Sequence, residues 1–238
     1  ERSIKALKRI NHRGPDYNNS LIKNKISFSH SRLSILDTSS KGNQPLETES
    51  GRYIIVFNGE IYNHNKLREI YLKGELLGSN NDTVTIAHLI ERYDIKFTLS
   101  ILEGMFSIAI YDSKTKEIFL ARDINGEKPL YLGLFKKSFC VTSDLNVVKD
   151  LGIETSFNKN SIDIFLQTNN IPAPLTIYKE FKKLIPGQVL KIDTQKISIK
   201  NIKLTKNKSK NKTSNLNIKN YQENVESCLK SVLRDYVV

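Results

Sequence analysis

The chain has 238 residues, 39% of them hydrophobic and 26% charged, which is enough apolar material for one large packed domain or a domain with part of a second. No run of eighteen apolar residues occurs and the N-terminus lacks the apolar stretch of a signal peptide, so no membrane partner is expected and a cytoplasmic location is the default. Cys140 and Cys228 are the only cysteines, which argues against a disulfide framework, and two thirds of the +12 net charge falls in the acid-free stretch from Lys196 to Gln222.

Ile4, Leu7 and Ile10 recur at helical spacing and Gly14-Pro15 ends the pattern, so the chain opens inside an amphipathic helix. Residue 1 is Glu, and a chain that begins within a helix without methionine reads as a fragment or a processed product. Residues 26–36 predict a strand, and a second strand, Tyr53-Ile54-Ile55-Val56-Phe57, runs into Asn58-Gly59, a strong hairpin-turn signal. Ser79, Asn80, Asn81 and Asp82 offer N-caps to a helix carrying Val84, Ala87, His88, Ile90 and Glu91. Two further hairpins are predicted, residues 105–111 with 117–122 and residues 130–135 with 138–142.

Val189-Leu190-Lys191-Ile192 reads as the last edge strand, and Val225, Leu229, Val232 and Leu233 mark a new amphipathic helix. Strands apolar on nearly every residue, with helices between groups of strands, predict an α+β fold of stacked sheets rather than a Rossmann arrangement. The lysine-rich run could attract a polyanion, but Lys-Asn-Lys-Ser-Lys-Asn-Lys at 206–212 lacks interleaved aromatics and helical periodicity. It reads as a solvated linker, and no nucleic-acid partner is expected.

Six segments in order carry the polar chemistry. They are His12-Arg13-Gly14-Pro15-Asp16, the run from Ser31 to Asp37, Gly42-Asn43-Gln44-Pro45-Leu46, Phe57-Asn58-Gly59-Glu60-Ile61-Tyr62-Asn63, Glu103-Gly104-Met105-Phe106, and the run from Ala121 through Tyr131. Together they resemble the class II glutamine amidotransferases, most closely the glutaminase domain of the glutamine-dependent asparagine synthetase family. The resemblance implies a four-layer αββα sandwich of stacked antiparallel sheets, of the N-terminal nucleophile hydrolase kind, with its first strand missing. It also implies a glutaminase domain over 1–193, a Lys/Asn-rich linker over 194–220 and, over 221–238, the helix that opens a truncated synthetase domain.

Members of that family use an N-terminal cysteine as nucleophile and its own α-amine as base. No such cysteine stands in this sequence, and neither Cys140 nor Cys228 lies in a matching context, so the chain alone is expected to be inactive. Asn58 matches the family's oxyanion residue, with the Gly59 backbone N–H as second donor; the alternative is a plain hairpin turn. Arg32 matches the arginine that pairs with the glutamine α-carboxylate, against the reading of a surface ion-pair partner. Asp82 and Glu60 match acids near the α-ammonium, against a helix N-cap and a solvated hairpin charge. Backbone groups at Ile35 and Leu36 are further substrate contacts.

Arg13, Asp16, Arg122, Asp123 and Lys128 are read as organisers of turns and ion pairs, and Gly14 and Gly126 as positive-φ positions. The four histidines have no ligand spacing, so no metal is expected here. Two positions depart from the family pattern: Val84 stands where an acid is usual, and Asp144 where a glutamate is usual.

For the intact protein the resemblance implies L-glutamine as ammonia donor, and L-aspartate, ATP and Mg²⁺ in a second domain, with a homodimer as a compatible assembly. No cofactor is expected in residues 1–238. The rival readings are an amidotransferase of the same family acting on a sugar or another carboxylate, and a non-catalytic glutamine-binding module.

Overall fold

The structure, a computed structural model, describes residues 2–34, 38–204 and 218–236. In chain order the elements are α1 (Arg2–Ile10), β1 (Tyr17–Lys23), β2 (Ile26–Arg32), β3 (Leu46–Glu47), β4 (Tyr53–Ile61), α2 (His64–Tyr71), α3 (Asp82–Arg92) and α4 (Ile95–Ile101). There follow β5 (Gly104–Asp112), β6 (Glu117–Arg122), β7 (Tyr131–Phe135), β8 (Ser138–Thr142), α5 (Lys159–Thr168), β9 (Phe181–Lys183), β10 (Val189–Asp193), β11 (Ser198–Asn201) and α6 (Ile218–Tyr236).

A six-stranded antiparallel sheet, ordered β11-β10-β6-β5-β4-β3, is the centre of the molecule. Side chains alternate across it. Ile55, Phe57 and Ile61 of β4 face Leu67 of α2, Ile86, Leu89 and Ile90 of α3, and Leu99 of α4. Ile54, Tyr111, Ile118 and Leu120 point the other way, against Phe28 of β2 and Leu130, Leu132 and Leu184. Because both faces are covered, these strands are apolar at nearly every position, which is the pattern that predicts stacked layers.

The second sheet layer is in two pieces, β1-β2 and β8-β7-β9, and α1 lies over β2 with Ala6 and Leu7 buried. The result is the stacked helix–sheet–sheet–helix arrangement expected from the sequence.

Both predicted hairpins form. β5 meets β6 in register from Ser107–Arg122 to Asp112–Glu117, and β7 meets β8 from Tyr131–Thr142 to Phe135–Ser138. Asn81 caps α3, its side chain accepting the Thr83 N–H at 2.8 Å. Asp82 is therefore not the N-cap but the first helical residue.

Three expectations are corrected. Asn58-Gly59 is not a turn: β4 runs straight through it, with Asn58 opposite Ser107 and Gly59 opposite Phe106. The tight turn of this region is instead at Asn24 and Lys25, whose φ angles of 52° and 66° join β1 to β2. Gly14 has φ −161°, an extended value, and its need for glycine is steric, since a Cβ there would sit 2.4 Å from the Ser31 carbonyl carbon. β10 is not an edge, because β11 pairs outside it, within the stretch read as linker. Gly126 does hold the positive φ expected of it, +68°.

The lysine run 206–212 lies outside the described residues. The side chains of residues 221–234 on α6 are exposed, with Tyr221, Val225, Leu229 and Leu233 forming an apolar stripe. No helix among the described residues is long and apolar enough to cross a membrane.

Candidate active site

Where β4 passes from its buried half toward α2, the sequence Phe57-Asn58-Gly59-Glu60 is held by close backbone contact with β5. Gly59 has φ +154°, and a Cβ there would fall 2.1 Å from the Met105 carbonyl oxygen. Gly104 answers it across the pair with φ +156° and a Cβ position 2.1 Å from the Glu60 carbonyl oxygen. The two glycines thus let β4 and β5 approach where side chains would wedge them apart. Gly59→Ala is expected to lower the unfolding free energy by more than about 3 kcal/mol, combining backbone strain with a main-chain clash. The urea midpoint checks it, and a loss under about 1 kcal/mol would show that the strands separate without cost.

A cleft of about 320 Å³ opens above this segment. Arg32, Asn58, Gly59, Glu60 and Asp82 all line it, although they come from β2, β4 and the start of α3. Ile35 and Leu36 fall outside the described residues. The structure thus brings together five of the seven positions singled out from the sequence.

Arg32 is 5% exposed, and its Nη1 donates to the Ser39 carbonyl at 2.7 Å and to Asn43 Oδ1 at 2.8 Å. Gly42 leaves room for the guanidinium, since a Cβ at that position would lie 2.4 Å from Arg32 Nη2. A fixed, buried guanidinium is suited to a planar carboxylate, and it is not the surface ion-pair partner that the sequence left open.

Asp82 is 4% exposed; Oδ2 accepts the Ile61 N–H at 3.0 Å and Oδ1 accepts the Thr83 N–H at 2.7 Å. Burial raises its pKa from 3.8 to about 6, the two N–H donors pull it back down, and the Glu60 charge pushes it further up. An acid held so far from its ordinary value, beside a second acid, is a place where an ammonium group would be welcomed.

The Asn58 Nδ2 amide is buried and has no partner. An unpaired buried donor costs free energy in the resting protein and is available to a charge that forms later. The structure also puts forward a residue that sequence reasoning passed over except as a non-ligand. His30 of β2 lies against the cleft, with Nε2 3.1 Å from the Phe57 carbonyl oxygen and Nδ1 buried without a partner. Burial lowers its pKa from 6.5 to about 4, so the ring is neutral, with Nε2–H donating to the carbonyl and Nδ1 presenting a lone pair. Its position next to Arg32 in the alternation of β2 was the only sequence signal available.

Gln44 supports the floor: Oε1 accepts the Phe57 N–H at 2.6 Å while Nε2 reaches Thr83 Oγ1 at 3.4 Å, tying β4 to α3. Four of the residues read as organisers act through their side chains, and Lys128 takes part through its backbone. Arg122 donates to the carbonyls of Lys128 (2.7 Å), Leu184 (2.6 Å) and Gly126, and Asp123 accepts the N–H groups of Asn125, Glu127 and Lys128. Arg13 reaches the Ser143 carbonyl and Asp144 Oδ2, each at 3.4 Å, and Asp16 accepts the Ser34 N–H at 2.7 Å.

Neither cysteine belongs to the cleft. Cys140, on β8, has its thiol pKa pushed up to about 11 by burial, which leaves almost no thiolate at neutral pH, and Cys228 lies exposed on α6. Among the described residues no group of three or more His, Cys, Asp or Glu side chains is placed to hold a metal ion.

Residues 1–203 match the glutamine amidotransferase domain family. A putative glutamine-hydrolysing asparagine synthetase of Methanocaldococcus jannaschii is 34% identical over 218 residues, 82% of this chain and 42% of that protein. The asparagine synthetases of Zea mays (39%) and Saccharomyces cerevisiae (40%) match over 132 residues, 56% of this chain and 22% and 23% of theirs. The chain therefore spans about two fifths or less of these relatives. Among solved structures, the glutamine phosphoribosylpyrophosphate amidotransferase of B. subtilis superposes with a TM-score of 0.56 at 22% identity, over 77% of this chain and 36% of that one. That likeness shows a shared stacked-sheet fold. With the family match over most of the chain and the cleft where β4 meets α3, the protein belongs to the class II glutamine amidotransferases.

Proposed function

We propose that residues 1–203 form the glutaminase domain of a glutamine-dependent asparagine synthetase and that the 320 Å³ cleft is its glutamine site. The carrying observation is the convergence in one small cleft of a fixed buried guanidinium, two acids and an unpaired amide donor. Arg32 takes the α-carboxylate of glutamine, Asp82 and Glu60 take the α-ammonium, and Asn58 Nδ2 with the Gly59 N–H faces the side-chain carbonyl oxygen.

The relatives' reaction places a cysteine thiolate against that carbonyl carbon. Sulfur bonds to carbon, and the oxygen takes the negative charge between the two N–H donors. The C–N bond then breaks, ammonia leaves with the proton, and water hydrolyses the thioester to glutamate and the free thiol. The ammonia would amidate L-aspartate with ATP and Mg²⁺ in a second domain, in the cytoplasm.

The purified 238-residue chain is expected to bind L-glutamine in calorimetry and to release no glutamate. Arg32→Ala should abolish the binding while leaving the fold intact by circular dichroism. Steady glutamate release that Asn58→Ala removes would overturn the assignment of the nucleophile outside this sequence, and unchanged binding by Arg32→Ala would overturn the carboxylate site.

A further inference from the structure

Asn81 stands at the junction of the cleft and α3, and the two ends of its side-chain amide have different tasks. Oδ1 accepts the Thr83 N–H at 2.8 Å and so caps the helix. That bond settles which way the amide lies, and it turns Nδ2 away from the helix. Asn81 is 9% exposed and lines the cleft, yet no group among the described residues accepts a hydrogen bond from Nδ2.

Gly42 shows where that donor points. A Cβ on Gly42 would lie 2.6 Å from Asn81 Nδ2 and 2.4 Å from Arg32 Nη2, so the amide and the guanidinium converge on a spot that only glycine leaves open. The two nitrogens are no farther apart than those distances laid end to end. One carboxylate fits between them, each nitrogen donating to a different oxygen at about 2.9 Å. Asp82, the next residue, offers acceptors instead of donors. An α-amino acid carries its carboxylate and its ammonium on one carbon, and residues 81 and 82 present the matching pair of groups side by side.

The donor is also fixed before any ligand arrives. The Asn81 N–H donates to Ser79 Oγ at 3.1 Å, and the Asn81 carbonyl accepts from Arg68 Nη2 at 2.7 Å and from Thr85 Oγ1 at 3.3 Å. Arg68, from α2, further grips the Ser79 carbonyl at 2.9 Å and Asn80 Oδ1 at 3.0 Å. A side chain held through its backbone and through its own Oδ1 has little freedom left to lose on binding.

We propose that Asn81 is a second ligand-binding donor, whose Nδ2 bonds the α-carboxylate of the amino acid in the cleft opposite Arg32. The assignment rests on the glutamine site proposed above. It makes a free α-carboxylate a requirement of the site: a glutamine whose carboxyl group is tied up in an amide presents an N–H to one of the two donors and is rejected.

Cap and contact are separable by substitution, because Asn, Ser and Asp cap helices about equally well and Ala does not. Were Asn81 a cap alone, Asn81→Ser and Asn81→Asp would bind L-glutamine like the parent, and only Asn81→Ala would differ. The contact predicts another order. In calorimetry at pH 8, where Asp82 is ionised, Asn81→Ser should bind L-glutamine about tenfold more weakly, having lost one hydrogen bond to a charged group. Asn81→Asp sets a negative charge against the carboxylate and should bind about a hundredfold more weakly. Both variants should keep the urea midpoint of the parent, while Asn81→Ala should lose stability with its cap. Binding by Asn81→Ser within twofold of the parent, or binding by Asn81→Asp as tight as that of Asn81→Ser, overturns the contact and leaves the glutamine site standing. An absence of L-glutamine binding by the parent chain overturns the glutamine site itself, and this assignment with it.

Discussion

Asn58→Ala, introduced into the chain extended at its N-terminus by a cysteine-led strand, should lower kcat for glutamine hydrolysis by about 10²–10³ and leave KM within a few-fold of its starting value. The asymmetry follows from the resting geometry. Nδ2 makes no hydrogen bond, so truncation removes nothing from the folded ground state and relieves a buried donor of its missing partner. Stability should therefore hold or rise slightly, which separates this variant from one that fails by unfolding. Asn58→Asp keeps the shape but turns a donor into an acceptor with negative charge, and should lose at least as much rate. A kcat within threefold of the parent, with the urea midpoint unchanged, would remove Asn58 from the oxyanion role and leave its unpaired amide without an explanation.

Much of this was legible in the sequence because local and global signals agree. The 105–122 hairpin announces itself by two apolar runs around Asp112, whose carboxylate in fact organises the turn by accepting the Lys114 and Thr115 N–H groups. α3 was readable because an Asx cap precedes a helical apolar stripe, although which of four candidates caps it depended on what Asp82 does elsewhere. Asn58-Gly59 misled for a physical reason. The pair is favoured in type I′ turns because Gly tolerates positive φ, and here the same tolerance serves a φ of +154° inside a strand so that two backbones meet.

What stayed illegible was long-range. His30 carries no motif, and its neutrality and free Nδ1 arise only when β2 packs against the Phe57 carbonyl, twenty-seven residues along the chain. The β1-β2 turn was hidden by Lys25 standing where glycine is usual. Which strand edges stay unpaired, those of β2 and β8 among the described residues, is set by neighbours that no local pattern names. Those edges are the exposed pairing surfaces that promote association, so the chain should aggregate more readily than its charge suggests.

The pH response of Asp82 joins stability to function. A carboxyl raised from 3.8 to about 6 binds its proton more tightly folded than unfolded. Its contribution is fully present below about pH 4 and is lost as pH rises through 6, a cost of about 3 kcal/mol at neutral pH. His30, lowered from 6.5 to about 4, contributes the opposite slope over nearly the same window, because its unfolded imidazole takes up the proton first. The two nearly cancel, which leaves the parent chain only the shallower rise with pH that His64, also lowered by burial, contributes. Asp82→Asn removes one arm, and its stability should rise with pH across that window. The substitution also leaves either the Ile61 or the Thr83 N–H facing an amide NH₂, offsetting part of the gain at pH 7.

Glutamine binding should respond the other way. An ammonium ligand needs the carboxylate, so affinity in the parent falls about tenfold from pH 7 to pH 5 as a group of pKa about 6 protonates. In Asp82→Asn binding should be weaker by at least that factor at pH 7 and insensitive to pH. Calorimetry at the two pH values, alongside urea melts of both proteins, tests both halves. If Asp82→Asn kept the tenfold pH dependence, Asp82 would not be the titrating group. The burial of Asp82 would then be only the cost of joining β4 to α3.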